Sequence, residues 1–231
     1  YDYNKVIIAL DTPDEQKALN LVKLLKHNVS IFKVGLELFC SQGPEIVKKI
    51  NDQGCKVFLD LKFHDIPNTV AGAARAALST GAFMFNVHAS GGREMMRKVR
   101  EIIDTACVPE KPIILAVTVL TSLDETDLND ISISKPPMEQ VKTLALLTKE
   151  SGLDGVVASP KEITAIREAV GQDFIIVTPG VRPTWAMAGD QKRIMTPAEA
   201  LESGASYIVV GRPVTAASDP AEAIDKLFSG A

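Results

Sequence analysis

Apolar residues in this chain gather in short β-branched runs, and the stretches between the runs carry apolar positions at helical spacing. The runs occupy residues 6–10, 31–35, 56–62, 84–88, 113–117, 155–158, 174–177 and 207–210. None approaches the ~20 consecutive apolar residues that a membrane span needs. Helix starts recur between them. Thr12-Pro13-Asp14-Glu15, Ser159-Pro160-Lys161-Glu162, Thr196-Pro197-Ala198-Glu199 and Asp219-Pro220-Ala221-Glu222 each set a capping side chain before proline and acids. Gly54, Gly81, Gly152 and Gly204 stand just ahead of the next strand, where glycine closes a helix.

Strict alternation of strand and helix implies parallel strands joined by crossovers. Eight such units predict an α/β fold of the (β/α)₈ TIM-barrel type. An open doubly wound sheet usually has about five or six strands. No linker, low-complexity stretch or break in composition divides residues 1–231, so a single catalytic domain is expected.

Composition narrows the functional classes. Of 231 residues, 46% are hydrophobic, enough for a large core. The formal net charge of −4, from 25 basic and 29 acidic residues with no basic block, gives no footprint for nucleic acid or an anionic membrane. An anion bound here needs a local pocket. Cys40, Cys55 and Cys107 are scattered and odd in number, which fits reduced thiols better than a disulfide framework. Residues 1–5 hold neither a basic segment nor an apolar core of an export signal, so a cytoplasmic location is expected.

In such a barrel the chemistry lies at the carboxyl ends of the strands. The residues expected there include Asp11, Lys33, the run from Asp60 to Asp65, Thr178 to Arg182, and Gly211-Arg212-Pro213. On the third strand Phe58, Asp60 and Lys62 share one face, and Val57, Leu59 and Leu61 share the other. Packing the apolar face on the helices turns Asp60 and Lys62 into the barrel. Buried charges need partners, and Lys33, Asp60, Lys62 and Asp65 form a candidate alternating array of cations and anions. A salt-bridge cluster that merely stabilises strand ends is the alternative. After strands seven and eight, Gly180 with Arg182 and Gly211 with Arg212 combine close backbone approach with bidentate donors, which points to a phosphate site. The polar segment 183–192 reads as a lid over that phosphate, with Gln191 reaching inward, against the alternative of a plain surface loop. His64 and His88 lack metal-ligand spacing, and no dinucleotide fingerprint, P-loop or nucleophile elbow is present. No metal and no organic cofactor is expected.

The run Asp60-Leu61-Lys62-Phe63-His64-Asp65-Ile66-Pro67-Asn68-Thr69 closely resembles the signature of the orotidine 5′-monophosphate decarboxylases, in the pattern of their bacterial branch. Further blocks in the same order extend the resemblance over essentially the whole chain: Ala9-Leu10-Asp11, Lys33-Val34-Gly35, Asn86-Val87-His88-Ala89-Ser90-Gly91-Gly92, Ala116 to Ser122, Thr178 to Pro183 and Gly211-Arg212-Pro213. The resemblance implies a cofactor-free conversion of orotidine 5′-monophosphate to uridine 5′-monophosphate and carbon dioxide, the last step of de novo pyrimidine nucleotide synthesis. It implies that Lys62 protonates the C6 carbanion and Asp60 faces the substrate carboxylate. Lys33 and Asp11 would bind the ribose and order the charges, and Thr121 would contact the pyrimidine. Arg182, Gln191, Gly211 and Arg212 would hold the phosphate. Asp65 and Thr69 would reach into the partner's site of an obligate homodimer. Two rivals stand beside this reading. Sugar-phosphate decarboxylases that use a magnesium-stabilised enediolate share the Asp-x-Lys-x-x-Asp triplet, but Phe63-His64 and Ile66 to Thr69 argue against them. A catalytically silent nucleotide-binding barrel is opposed by the joint presence of Lys33, Asp60, Lys62 and Asp65.

Overall fold

Short β-branched runs bounded by helix caps cannot cover both their faces alone, and they solve this by closing on one another. A computed structural model describes residues 2–186 and 195–229. Its strands are β1 (Val6–Ala9), β2 (Ile31–Gly35), β3 (Lys56–Phe63), β4 (Met84–His88), β5 (Ile113–Val117), β6 (Gly155–Val157), β7 (Ile175–Pro179) and β8 (Tyr207–Val210). All neighbours run parallel in the order β1 to β8, and β8 returns to β1 with Val6 opposite Ile208 and Ile8 opposite Val210. The expected (β/α)₈ barrel is the observed fold. No helix among the described residues is long and apolar enough to cross a membrane.

The two faces of each strand feed two separate cores. Val6, Ile8, Phe32, Val34, Val57, Leu59, Phe85 and Val87 pack outward under the helices. Ile7, Ala9, Ile31, Phe58, Met84, Leu115, Val117, Val157, Val177 and Val209 fill the barrel. Phe58 does lie inside, and Leu61 and Phe63 join the outer core, as the strand alternation requires. Above the apolar layers the interior is lopsided. The positions that follow on β2, β3 and β4 at two-residue spacing are Lys33, Asp60 and Asn86, whereas the β5 to β8 side continues with valine.

Helix starts follow the sequence signals with one shift. Thr196 caps the helix Pro197–Glu202 and Asp219 caps Pro220–Asp225 through side-chain oxygens that accept backbone N–H groups. The first helix begins later than the Thr12-Pro13 pattern implies, at Glu15–Leu25. Asp14 takes the cap by accepting the Lys17 N–H at 2.9 Å, while Thr12 Oγ1 accepts from Asp14 N and holds Pro13 in the preceding turn. The seventh strand also runs further than expected, to Pro179, because Thr178 and Pro179 stay in register with Ile208 and Val209.

One residue shows how tightly the barrel closes. A Cβ added at Gly155 would lie 2.2 Å from the Ile175 carbonyl oxygen, where β6 meets β7. That clash is with backbone and cannot be relieved by a rotamer change. Gly155→Ala is expected to destabilise the protein by about 1–3 kcal/mol, the usual range for overpacking, as measured by denaturant unfolding.

Candidate active site

The site grows from a buried carboxylate. Asp60, on β3 inside the barrel, is 9% exposed. Its Oδ1 receives the Lys62 ammonium at 2.7 Å, and its Oδ2 faces the Lys33 ammonium at 3.4 Å. Lys33 also reaches Asp11 Oδ1 at 3.2 Å, so the charges run Asp11, Lys33, Asp60, Lys62 across β1, β2 and β3. Register explains how Lys33 gets there. It lies opposite Phe58, one layer below Asp60, whose own partner on β2 is Gly35. A Cβ at Gly35 would sit 2.9 Å from Lys33 Nζ, so the missing side chain leaves the space through which the ammonium rises to Asp60.

Lys62 is placed by a fault in the strand. The β3–β4 register slips between Leu59 and Phe63, and Lys62 adopts φ +52°, a left-handed conformation uncommon for a long side chain. Asn86 on β4 bridges this bulge. Its Oδ1 accepts the Lys62 backbone N–H at 2.8 Å, and its Nδ2 donates to Asp60 Oδ1 at 2.7 Å. Burial pushes the Asp60 carboxyl up, but the Lys33 and Lys62 charges and the hydrogen bonds from Lys62 and Asn86 outweigh it and hold the group below the usual carboxylate range. His88, at the end of β4, stacks on His64 with ring centroids 5.4 Å apart. Burial, and then the charges of His64 and Lys62, pull its imidazolium pKa down against the opposing effect of Asp60.

On the far side of the barrel mouth, Asp11, Gly180, Val181, Arg182, Val209, Gly211 and Arg212 line a cavity of about 430 Å³. Gly180 sits at φ +81°, a turn that an L side chain resists, and it swings the chain from β7 toward Arg182. Neither guanidinium forms an ion pair with another described residue, and both line the cavity. Gly180 also borders a second cavity of about 230 Å³ that contains Thr121, Ser159 and Lys161. Asp11 therefore belongs to both regions: it pairs with Lys33 and walls the arginine cavity.

Residues 4–227 match the family model described as "Orotidine 5′-phosphate decarboxylase / HUMPS family". A protein of Moorella thermoacetica named orotidine 5′-phosphate decarboxylase is 55% identical over 95% of this chain and 89% of its own length. One of Geotalea daltonii with the same name is 53% identical, over 97% of this chain and 95% of its own. Among solved structures, the orotidine 5′-phosphate decarboxylase of Lactobacillus acidophilus aligns with a TM-score of 0.85 at 42% identity, covering 98% of this chain and all of that one. The chain belongs to the orotidine 5′-phosphate decarboxylase / HUMPS family.

Within this family member, the sequence-expected residues fall into three groups. Asp11, Lys33, Asp60 and Lys62 meet as one array, and Arg182, Gly211 and Arg212 meet in one cavity with Thr121 next to it. Asp65 does not join the array within the chain. Past the left-handed Lys62 the backbone turns outward, and the exposed Asp65 carboxylate instead accepts the Ile66 N–H at 2.6 Å. Thr69 is exposed on the helix Pro67–Ser79 that follows. Gln191 and most of the expected lid lie outside the described residues. Asn86 is the residue that sequence reasoning missed as part of the site. Its signals were a polar side chain at an inward position of β4, two residues before His88, and its place at the head of the Asn86 to Gly92 block, neither of which gave it a role.

Directly after Ser159, Pro160 and Lys161, which line the cavity with Thr121, comes an unusual acid. Glu162 accepts the Ser159 N–H at 2.8 Å, and burial raises its pKa to about 7 even though that hydrogen bond lowers it. The folded-state pKa lies above the unfolded value, so the folded protein binds the extra proton between about pH 4.5 and 7. The contribution of this group to stability is therefore greatest below that window and falls as pH rises through it, by up to about 3 kcal/mol. Denaturant unfolding across that window is expected to show this decline in the parent and a flatter profile in Glu162→Gln.

Proposed function

We propose that this protein decarboxylates orotidine 5′-monophosphate to uridine 5′-monophosphate, with Lys62 supplying the proton that replaces the departing carboxylate. The observation that carries the reading is the Lys33–Asp60–Lys62 array inside the barrel mouth, joined through Asp11 to a cavity lined by Arg182 and Arg212. The names of the relatives support the substrate.

The chemistry matches these residue types. Cleavage of the bond between C6 and the carboxyl carbon leaves an electron pair on C6 in the plane of the ring, with no cofactor to delocalise it. An ammonium beside that carbon stabilises the growing charge and then transfers a proton to it, leaving a neutral amine that regains its proton from solvent. Asp60, held ionised by its neighbours, places a fixed negative charge near the substrate carboxylate, a repulsion that lapses as neutral carbon dioxide forms. Arg182, Arg212 and the backbone at Gly211 hold the phosphate, with Gln191 assigned to the same group. Thr121 contacts the pyrimidine, and Lys33 and Asp11 position the ribose. Contacts to the remote phosphate offset the cost of ordering the reacting end. The reaction calls for no metal and places the protein at the end of pyrimidine nucleotide synthesis, a cytoplasmic role.

Asp65 and Thr69 complete the site of a second subunit in a homodimer. Their exposure supports this, as does Ile66 between them, an apolar side chain left 66% exposed. A carboxylate delivered from the partner would extend the alternation beyond Lys62.

Two experiments test the reading. Loss of orotate absorbance on adding orotidine 5′-monophosphate in EDTA is expected for the parent, with Lys62→Ala slower by at least about 10³-fold. No turnover by the folded parent, or turnover abolished by the chelator, refutes it. For the shared site, Lys62→Ala and Asp65→Ala proteins are each expected to be nearly inactive. Refolding them together should restore about a quarter of parental activity, because half of the dimers are mixed and each mixed dimer holds one intact site. No recovery on mixing refutes the exchange of Asp65 between subunits.

A further inference from the structure

Asn86 is fully buried, and both ends of its amide are committed to the charged array. The assignment of oxygen and nitrogen is forced by the partners. Turning the amide over would set its oxygen against the Asp60 carboxylate and its NH₂ against the Lys62 N–H, converting two attractions into two repulsions. The oxygen holds the backbone of Lys62 in a left-handed conformation that a long side chain disfavours, at a point where the β3–β4 register is interrupted. The nitrogen binds the same Asp60 oxygen that receives the Lys62 ammonium. One side chain thus fixes the root of the lysine and the carboxylate against which its tip rests. Only a side chain with a donor and an acceptor at that reach does both: aspartate has two acceptors, leucine neither, and serine is too short.

We propose that Asn86 is a positioning residue for the decarboxylation step, presenting the Lys62 ammonium and the Asp60 carboxylate to the reacting carbon as one rigid unit. The inference rests on the decarboxylase reading above. It assigns Asn86 to the chemical step rather than to substrate affinity, since the arginine cavity that would hold the phosphate is lined by other residues. The groups facing Asp60 are Lys33 from β2, Lys62 on its own strand, Asn86 and His88 from β4 with His64 stacked behind, and Asp11 acting through Lys33.

The near-isosteric Asn86→Asp keeps an acceptor for the Lys62 N–H but puts a second carboxylate where Asp60 has its donor. Two carboxylates at hydrogen-bond distance favour sharing one proton, so the pair titrates where the parental amide cannot. Turnover of orotidine 5′-monophosphate by Asn86→Asp is expected to fall by about 100-fold at about pH 8, where both carboxylates are most fully ionised, with KM and the affinity for uridine 5′-monophosphate within about threefold of the parent. Its kcat should gain an alkaline limb that the parent lacks, because the introduced carboxyl, when protonated, still donates to Asp60 and loses that donor as the shared proton leaves with rising pH. Asn86→Ala should lose kcat without gaining the limb. A folded Asn86→Asp with parental kcat and a parental pH profile overturns the inference while leaving the decarboxylase reading intact. No turnover by the parent overturns the decarboxylase reading itself. Failure of both variants to fold, judged by circular dichroism and thermal melting, makes Asn86 a purely structural residue and also overturns the inference.

Discussion

Asp60 is a buried carboxylate set above a layer of isoleucine, valine, leucine, alanine, methionine and phenylalanine inside the barrel, and much of the site follows from the need to keep it charged there. An ionised group in such surroundings loses hydration worth several kcal/mol and stays only if donors replace the water. Asp60 has three: the ammonium groups of Lys33 and Lys62 and the amide of Asn86. Each donor imposes its own condition on the fold. Lys33 needs Gly35 to have no side chain, Lys62 needs a bulge with a left-handed residue, and Asn86 needs an inward position on β4. A strained backbone at Lys62 persists because the surrounding bonds over-determine it.

The barrel divides its labour by strand. Strands β1 to β3 supply the charges and β4 the amide that braces them, and β5 to β8 supply an apolar wall topped by the loops that hold Arg182 and Arg212. Asp11 is the joint between the halves, since it accepts from Lys33 and also walls the arginine cavity. Two ion pairs, Asp11 with Lys33 and Lys33 with Asp60, therefore run from that cavity to the buried carboxylate. This contiguity lets contacts at one end of a ligand order groups at the other.

The eight strands were legible in the sequence because each run is short, β-branched and bounded by a cap or a glycine, and the alternation of faces on β3 correctly sent Phe58 and Asp60 inward. Boundaries were less legible where a local turn competed with a cap, as at Thr12 and Asp14, or where a neighbouring strand prolonged pairing, as at Pro179. The charged residues could be read as a group but not as a geometry. Spacing placed Asp65 in the array, whereas the left-handed turn at Lys62 carries it to the surface. Asn86 escaped because a single amide in a strand has no pattern; its role is a matter of which strand lies across the bulge, and only the closed barrel decides that.

Counting charges shows what such a site asks of its substrate under the decarboxylase reading. Within one chain the reacting end holds two cations, Lys33 and Lys62, and two anions, Asp11 and Asp60, so it offers a carboxylate no net attraction. A partner's Asp65 would make it net negative. Among the described residues the arginine cavity is the opposite, lined by two cations and by Asp11, which it shares with the reacting end. Affinity must then come mainly from the phosphate, and it is set against an unfavourable placement of the substrate carboxylate beside Asp60. That opposition disappears once carbon dioxide forms, while the attraction between Lys62 and the carbanion grows. The same fixed charges that do little for the bound substrate therefore favour the state in which the bond is breaking.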